Sequence, residues 1–171
     1  MVTTAELLDD AFTRIEGAAV SAVDGLSVDE LTQRPGGNNS IAWLVWHLAR
    51  VQDDHIADAC GGAQAWITEG WQERFDLPLP AEDTGFGHSS EQVGSVTASA
   101  DLLADYLRAV TERTRRYVKT LRDDDLDRIV DDSWDPPVSL AVRLVSVTAD
   151  GLQHAGQAAY VRGIVRGSAA G

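Results

Sequence analysis

The amino-acid sequence predicts an all-α fold, a four-helix bundle with a long loop between its second and third helices. Four segments of roughly twenty residues or more place apolar side chains at three- and four-residue steps, and clear breakers separate them. No segment with the alternating pattern of a strand competes with them. Because each such helix has one apolar face to bury, the four are expected to share a core. A chain of 171 residues is long enough for one core of this kind, so we expect a single domain over residues 1–171.

The first helix is predicted from about Thr4 to Asp24, because its apolar residues form one continuous stripe and Gly25 follows as a stop. The stripe consists of Leu8, Phe12, Ile15, Ala19 and Val23. Beyond the stop, Ser27 and Glu30 have the spacing of a capping box. We therefore expect a short helical turn there, before the next break in the chain.

The second helix follows a Pro-Gly-Gly break and is expected to begin with Asn39 or Ser40 as its N-cap. It runs to about Cys60, where Gly61 and Gly62 end it. The only cysteine of the chain thus lies at a helix end, where we expect it to be a small buried apolar residue and not a nucleophile.

Residues 63–94 show no regular apolar period, so we expect a long loop with at most one helical turn. A loop of this length inside a compact domain is typical of a lid or a binding segment. Trp66, Trp71 and His88 lie in this loop. They are expected either to close a pocket or to anchor the loop to the bundle.

The third helix begins near Ser99 and ends at the acidic run 123–125. Its apolar face is formed by Leu103, Leu107, Val110, Thr114, Tyr117 and Leu121. After a second loop, which contains Trp134, the fourth helix is predicted from about Ser139 to Arg166. Its apolar face is formed by Leu140, Leu144, Val147, Gly151, Ala158 and Val161.

Charge and cysteine content limit the classes of function. The chain has 14 Lys and Arg against 27 Asp and Glu, a net charge of −13, whereas nucleic acids and anionic membranes bind basic surfaces. No apolar stretch approaches the ~20 residues that span a bilayer, and the first residues lack the order of a secretory signal. We therefore expect a cytoplasmic protein that binds neither nucleic acid nor membrane. A single cysteine excludes an intrachain disulfide and a multi-thiolate metal site.

Three polar residues interrupt the apolar stripes and are the candidates for chemistry. His47 lies on the stripe of the second helix, and Asp150 and His154 lie one turn apart on the fourth. Two imidazoles and one carboxylate facing each other in a bundle core are able to bind a divalent cation and leave coordination positions open. The same residues are also consistent with an ion pair between Asp150 and His154 and an ordinary core histidine at position 47.

The segments 39–49 and 150–157 resemble the DinB superfamily, and more narrowly its mycothiol-dependent branch of maleylpyruvate isomerases and mycothiol S-transferases. They read Asn-Ser-Ile-Ala-Trp-Leu-Val-Trp-His-Leu-Ala and Asp-Gly-Leu-Gln-His-Ala-Gly-Gln. In that family, a histidine of the second helix and an acid-or-histidine-x-x-x-histidine pair of the fourth bind zinc or a similar ion. The resemblance implies that His47, Asp150 and His154 are the metal ligands. Asp150 is a departure, because many members have His there and the isomerases have Glu.

The resemblance also implies a metal-dependent thiol S-transferase, which conjugates mycothiol to an electrophilic acceptor in a detoxification reaction. A free thiol, with a pKa of about 8.5, is mostly protonated at neutral pH. An open position on the metal would bind the thiol sulfur and stabilise the thiolate, the form that attacks electrophiles. The partners are therefore expected to be a small-molecule thiol and an electrophile, with divalent zinc as the cofactor and mycothiol as the co-substrate.

Helical angle places further residues near the candidate metal. Trp43, Arg50 and Asp54 lie within about 60° of His47, and Gln157 lies one turn beyond the second histidine. We expect these four to contact the sugar-rich thiol. The alternatives are an Arg50–Asp54 ion pair, a packed core tryptophan, and a glutamine that orients a metal ligand.

Two other hypotheses stay open at this point. The same metal site would suit a hydrolase in which a metal-bound water is the nucleophile. The chain is also consistent with a non-catalytic bundle that binds a ligand or partner, and a homodimer fits either case.

Overall fold

The structure of the protein, a computed structural model, describes residues 1–168. Its helices are α1 (Thr4–Val23), α2 (Val28–Thr32), α3 (Ile41–Cys60), α4 (Ala65–Thr68), α5 (Trp71–Phe75), α6 (Ser90–Ser95), α7 (Ala100–Val118) and α8 (Leu140–Ser168). Two short strands, β1 (Ile129–Asp131) and β2 (Val138–Ser139), form a hairpin, and 3-10 turns lie at Pro35–Gly37 and Asp123–Asp127. The predicted all-α class is confirmed.

The four long helices, α1, α3, α7 and α8, form the bundle. α3 packs against α7 and α8, and α1 packs against the same two helices. Residues 41–50 of α3 are all buried, because neighbouring helices and the segment after α3 cover every face. Polar side chains in this stretch therefore need partners inside the protein. Within residues 1–168, no helix has the length and apolar character needed to cross a membrane.

The ends of the long helices agree with the predicted stops and caps. The Ser40 side chain accepts a hydrogen bond from the backbone N–H of Trp43 at the start of α3, and Ser99 caps α7 in the same way. Gly61 ends α3 in the left-handed conformation, with φ 66°. The expectation that Cys60 is buried is wrong, because Ala59 takes the inward position of the last turn and the thiol faces solvent.

The segment between α3 and α7 contains three short helices, so the expectation of at most one helical turn is wrong. Helices of four to six residues are too short to show a regular apolar period. Trp66, Trp71 and Phe75 from this segment pack around the ring of Tyr106, with ring centroids 5.2 to 5.7 Å from it. Both tryptophans are buried, and they anchor the segment to α7.

A β-hairpin connects the end of α7 to α8, which the sequence does not predict. Its strands have three and two residues, too few for an alternating pattern. The backbone N–H of Leu140 donates to the carbonyl of Arg128 at 2.8 Å, which joins the first residue of α8 to the hairpin. The turn between the strands projects Trp134 beside the end of α3 and the start of α8.

Candidate metal centre

Three side chains from α3 and α8 converge where these two helices pack. His47, Asp150 and His154 each offer one ligand atom, and these atoms lie within 4.8 Å of one another. The two imidazole rings are 4.8 Å apart and nearly perpendicular, at 73°. The structure thus brings together the three residues for which the sequence predicts metal binding.

His47 is held by the protein through one ring nitrogen. Its Nδ1 contacts the carbonyl of Thr84, and because a carbonyl only accepts, Nδ1 carries the proton. The indole of Trp43 stacks on the ring at 4.5 Å. Burial lowers the pKa of His47, against the opposing effect of the Thr84 carbonyl. His47 is therefore neutral at physiological pH, with the lone pair of Nε2 free for a ligand.

His154 on α8 is also held through its Nδ1, but its Nε2 faces a carboxylate. Its Nδ1 donates to Oε1 of Gln157 at 2.8 Å, and its Nε2 lies 3.4 Å from Oδ1 of Asp150. The hydrogen bond to Asp150 raises the pKa of His154, although burial acts in the opposite direction. Gln157 thus orients a predicted ligand, which was one of the roles the sequence left open for it.

The donor set fits a divalent cation. Within the described residues, Oδ2 of Asp150 is buried and has no hydrogen-bond partner. A buried carboxylate oxygen raises the free energy of the folded state unless a donor or a cation meets it. Two imidazole nitrogens and one carboxylate oxygen match the ligands that zinc takes in catalytic sites.

The loop before α6 is shaped to support His47. Oδ1 of Asp83 accepts from the backbone N–H of Gly85 at 2.8 Å, and Oδ2 of Asp83 lies 2.8 Å from Nε2 of His88. The indole N–H of Trp43 donates to Nδ1 of His88 at 3.0 Å, so the proton of His88 is on Nε2 and is donated to Asp83. Burial would raise the pKa of Asp83, but the bonds from Gly85 and His88 outweigh it, and the pKa is lowered.

Gly85 is required at the point where this loop meets α3. Its φ of +92° lies in the region that favours glycine, and a Cβ there would lie 2.8 Å from Nδ1 of His47. The same atom would lie 3.0 Å from Trp46 and 3.2 Å from Trp43. The close approach of the loop backbone to the imidazole therefore depends on the absence of a side chain.

Arg50 lies fully buried inside the bundle. Its guanidinium donates to the carbonyl of Asp83 at 3.1 Å and to Oε1 of Gln64 at 2.9 Å. The nearest carboxylate is Asp53, with Oδ2 at 3.8 Å, so the Arg50–Asp54 ion pair offered as an alternative is not the one formed. The geometry gives no support to a substrate contact by Arg50, because its donors already hold the loop.

A cavity of about 710 Å³ adjoins the centre, and His47 and Asp150 form part of its wall. Asp54 lines it as well, whereas Trp43 and Gln157 are not among its lining residues and contact His47 and His154 respectively. Sequence reasoning missed several other residues of the lining, among them Arg143, Phe86 and Trp134. No local signal marks them, because a loop, the hairpin and the start of α8 bring them to the cavity from distant parts of the chain.

Comparisons with known proteins bear on what this centre does. The family described as mycothiol-S-transferase matches residues 6–167. The structure described as the crystal structure of the conserved protein of locus from Enterococcus faecalis superposes with a TM-score of 0.90 at 32% identity, covering 98% of this chain and 99% of that one. No curated protein sequence gives a significant match. The resemblance drawn from the two motifs is confirmed, and the chain belongs to the mycothiol S-transferase family.

Proposed function

We propose that the protein is a metal-dependent transferase that conjugates mycothiol to an electrophilic acceptor. The family match supports the transfer of this thiol. The observation that carries the metal dependence is the convergence of two imidazoles and a carboxylate with an unpartnered buried oxygen. Zinc is the proposed ion, held by His47, Asp150 and His154.

A divalent cation held by these ligands would supply Lewis acidity at an open position, which would lower the pKa of a thiol and favour its more reactive thiolate. Other residues of the chain orient and cover the proposed ligands. Thr84 and Gln157 each accept the Nδ1 proton of one histidine, which directs both Nε2 atoms inward. Trp43 covers one face of the His47 ring and keeps water from that side.

The thiol is proposed to occupy the cavity beside the centre. Asp54 lies in its wall and is 36% exposed, so its carboxylate is available to accept hydrogen bonds from sugar hydroxyls. Trp43 is buried, and Gln157 is bonded to His154, so we propose that both position the ligands and do not touch the thiol. In the reaction, the thiol loses its proton to solvent, its sulfur forms a bond to a carbon of the acceptor, and the leaving group departs with the electron pair of the broken bond.

The test is conjugation of mycothiol to monobromobimane by zinc-loaded protein. We expect a rate well above that of thiol and bimane alone, with release of bromide. His154→Ala is expected to lose zinc and the catalysed rate together. His55→Ala is the matched control for metal binding and is expected to keep its zinc, because His55 lines the same cavity but is not one of the three proposed ligands.

Two results would contradict this function. One is a wild-type rate equal to the thiol-only control at full zinc content. The other is zinc-dependent hydrolysis of the acceptor without thiol, which would favour the hydrolase hypothesis.

The cytoplasmic location and a homodimer stay predictions, and the exposed thiol of Cys60 favours a reducing compartment.

A further inference from the structure

We propose that the outer face of α8 is the surface through which two copies of this chain associate, with their α8 helices antiparallel about a twofold axis. The surface, here called the α8 face, consists of seven residues at alternating steps of three and four: Val142, Val145, Ala149, Leu152, Gly156, Ala159 and Gly163. Neither metal nor thiol takes part in this association, so the inference is independent of the proposed function.

The α8 face lies on the side of the helix that is turned away from the core. Alternating steps of three and four keep side chains on one side of an α-helix, as in the seam of a coiled coil. All seven residues are exposed, and the largest of them, Val142, Val145 and Leu152, are 55%, 65% and 51% exposed. The face extends for about 30 Å along the helix. A contiguous apolar surface of this length is typical of a site that binds a partner.

The α8 face carries no charge, although the chain as a whole is strongly acidic. Between positions 142 and 164, none of the exposed residues of α8 is Asp, Glu, Lys or Arg, in a chain of net charge −13. The arginines of this range are bonded inside the protein, Arg143 to the Asp131 carboxylate and Arg162 to the Ala22 carbonyl. Two copies of an acidic protein repel each other, so an uncharged apolar surface is where they can meet at least cost.

Two glycines of the α8 face have no packing role within residues 1–168. A Cβ added at Gly156 or Gly163 would meet no atom within 4 Å, whereas a Cβ at Gly151 would lie 3.0 Å from the Ile15 side chain. Glycine in a helix interior destabilises the helix relative to alanine. Because the distance between two packed helices depends on the side chains at their contact, exposed glycines allow a second helix to come close.

The order of large and small residues along the α8 face makes it complementary to a reversed copy of itself. The larger side chains lie in its first half and the smaller ones in its second half. In an antiparallel pair with the twofold axis next to Leu152, each larger residue therefore lies opposite a smaller one: Val142 opposite Gly163, Val145 opposite Ala159, and Ala149 opposite Gly156. A parallel pair would set valine against valine and leave a gap between the glycines. The face thus fits a second copy of this chain in one orientation.

The experiment is sedimentation velocity of the full chain, without added metal or thiol, at concentrations up to about 100 μM, where a dimer of micromolar Kd is populated. We expect the wild type to sediment with twice the mass of one chain. Leu152→Glu is expected to raise the Kd of the dimer about a hundredfold or more, because it brings two carboxylates together next to the axis. The matched control is Ile67→Glu in α4, since Ile67 is 50% exposed and lies outside α8. It is expected to leave the Kd unchanged.

Gly156→Leu tests the shape of the proposed interface. The new side chain would meet nothing in its own chain but would lie against Ala149 of the other copy. We expect the Kd of the dimer to rise about tenfold or more, because the contact is overpacked. The unfolding temperature of dilute, monomeric protein is expected to stay the same or rise, because leucine is a better helix former than glycine. A defect within the chain itself would lower that temperature.

A wild type that is monomeric over the whole concentration range would overturn the inference, and so would a Leu152→Glu variant that dimerises as the wild type does. A Gly156→Leu variant with the Kd of the wild type would overturn the antiparallel pairing. These outcomes are distinct from failure of the proposed function, which is decided by the bimane assay alone.

Discussion

Two histidines of the candidate centre each use one ring nitrogen for the protein and leave the other for a ligand. The partners of the two Nδ1 atoms are a main-chain carbonyl, of Thr84, and a side-chain amide, of Gln157. Fixing the proton on Nδ1 selects the tautomer in which Nε2 has a free lone pair. A substitution that displaces either partner is expected to weaken metal binding without touching a ligand.

Gly85 allows a direct test of this support. We expect Gly85→Ala to lower zinc affinity by about tenfold or more, because the new Cβ would lie 2.8 Å from Nδ1 of His47 and push the imidazole or the loop away. The measurement is zinc titration against a competing chelator. Gly87→Ala is the matched control, since Gly87 also has positive φ, +74°, but has no atom within 4 Å of an added Cβ. Equal losses in the two variants would show that backbone strain, and not contact with His47, is responsible.

The segment that supports His47 is itself fastened to α3 by a buried arginine. Arg50 is fully buried, and its donors reach the Asp83 carbonyl and the Gln64 side chain. Positions 50 and 83, more than thirty residues apart, are therefore joined through one guanidinium on the helix that carries His47. On α8, Gly151 allows close packing against α1, because a Cβ there would lie 3.0 Å from the buried side chain of Ile15.

We expect Arg50→Met to lower the free energy of unfolding by about 3 kcal/mol. The substitution leaves the Asp83 carbonyl and the Gln64 amide oxygen without their donor, and it leaves the buried Asp53 carboxylate without its nearest positive charge. The measurement is urea denaturation followed by circular dichroism. Arg108→Met serves as the control, since Arg108 is about half exposed and, within residues 1–168, is bonded only to Asp105 on the same helix. A loss no greater than that of the control would mean that the loop is held by other contacts.

The bundle as a whole is expected to respond to zinc, since the three proposed ligands join α3 to α8. At a free zinc concentration a hundredfold above its Kd, the gain in the free energy of unfolding is about 2.7 kcal/mol. If the chain is one domain, as its sequence predicts, heating should give a single unfolding transition, and zinc should shift the whole transition to higher temperature. Calorimetry with and without zinc measures both.

The pKa of His154 decides whether the stabilisation by zinc rises or falls with pH. Asp150 raises that pKa, so protons compete with zinc for Nε2 over a wider pH range than at an ordinary histidine. The gain from zinc should therefore fall as the pH is lowered through the pKa of His154. Without zinc the sign reverses: the contribution of the raised pKa is fully present below the pKa of the unfolded state and is lost as pH rises through the folded one. A zinc gain independent of pH between about 5 and 8 would exclude His154 as a ligand.

Regular features of the sequence were sufficient to predict the long helices, several of their ends and the three proposed ligands. The long helices were predictable because apolar residues at three- and four-residue steps over twenty positions fit the period of a helix and not that of a strand. The helix stop at Gly61 and the caps at Ser40 and Ser99 follow from local chemistry. The three proposed ligands were found because polar residues interrupt apolar stripes, and the family motif gave their roles.

Contacts between distant segments decided the rest. Periodicity cannot show helices of four to six residues or strands of two, and these build the loop and hairpin that complete the cavity. The assignment of Arg50 to substrate contact came from helical angle alone, which gives the direction of a side chain but not what covers it. By itself, the sequence determined the bundle and which residues face its core, since both depend on local spacing. Only the tertiary structure decided which nitrogen each histidine leaves free and which charges line the cavity, because those properties depend on partners far away in the chain.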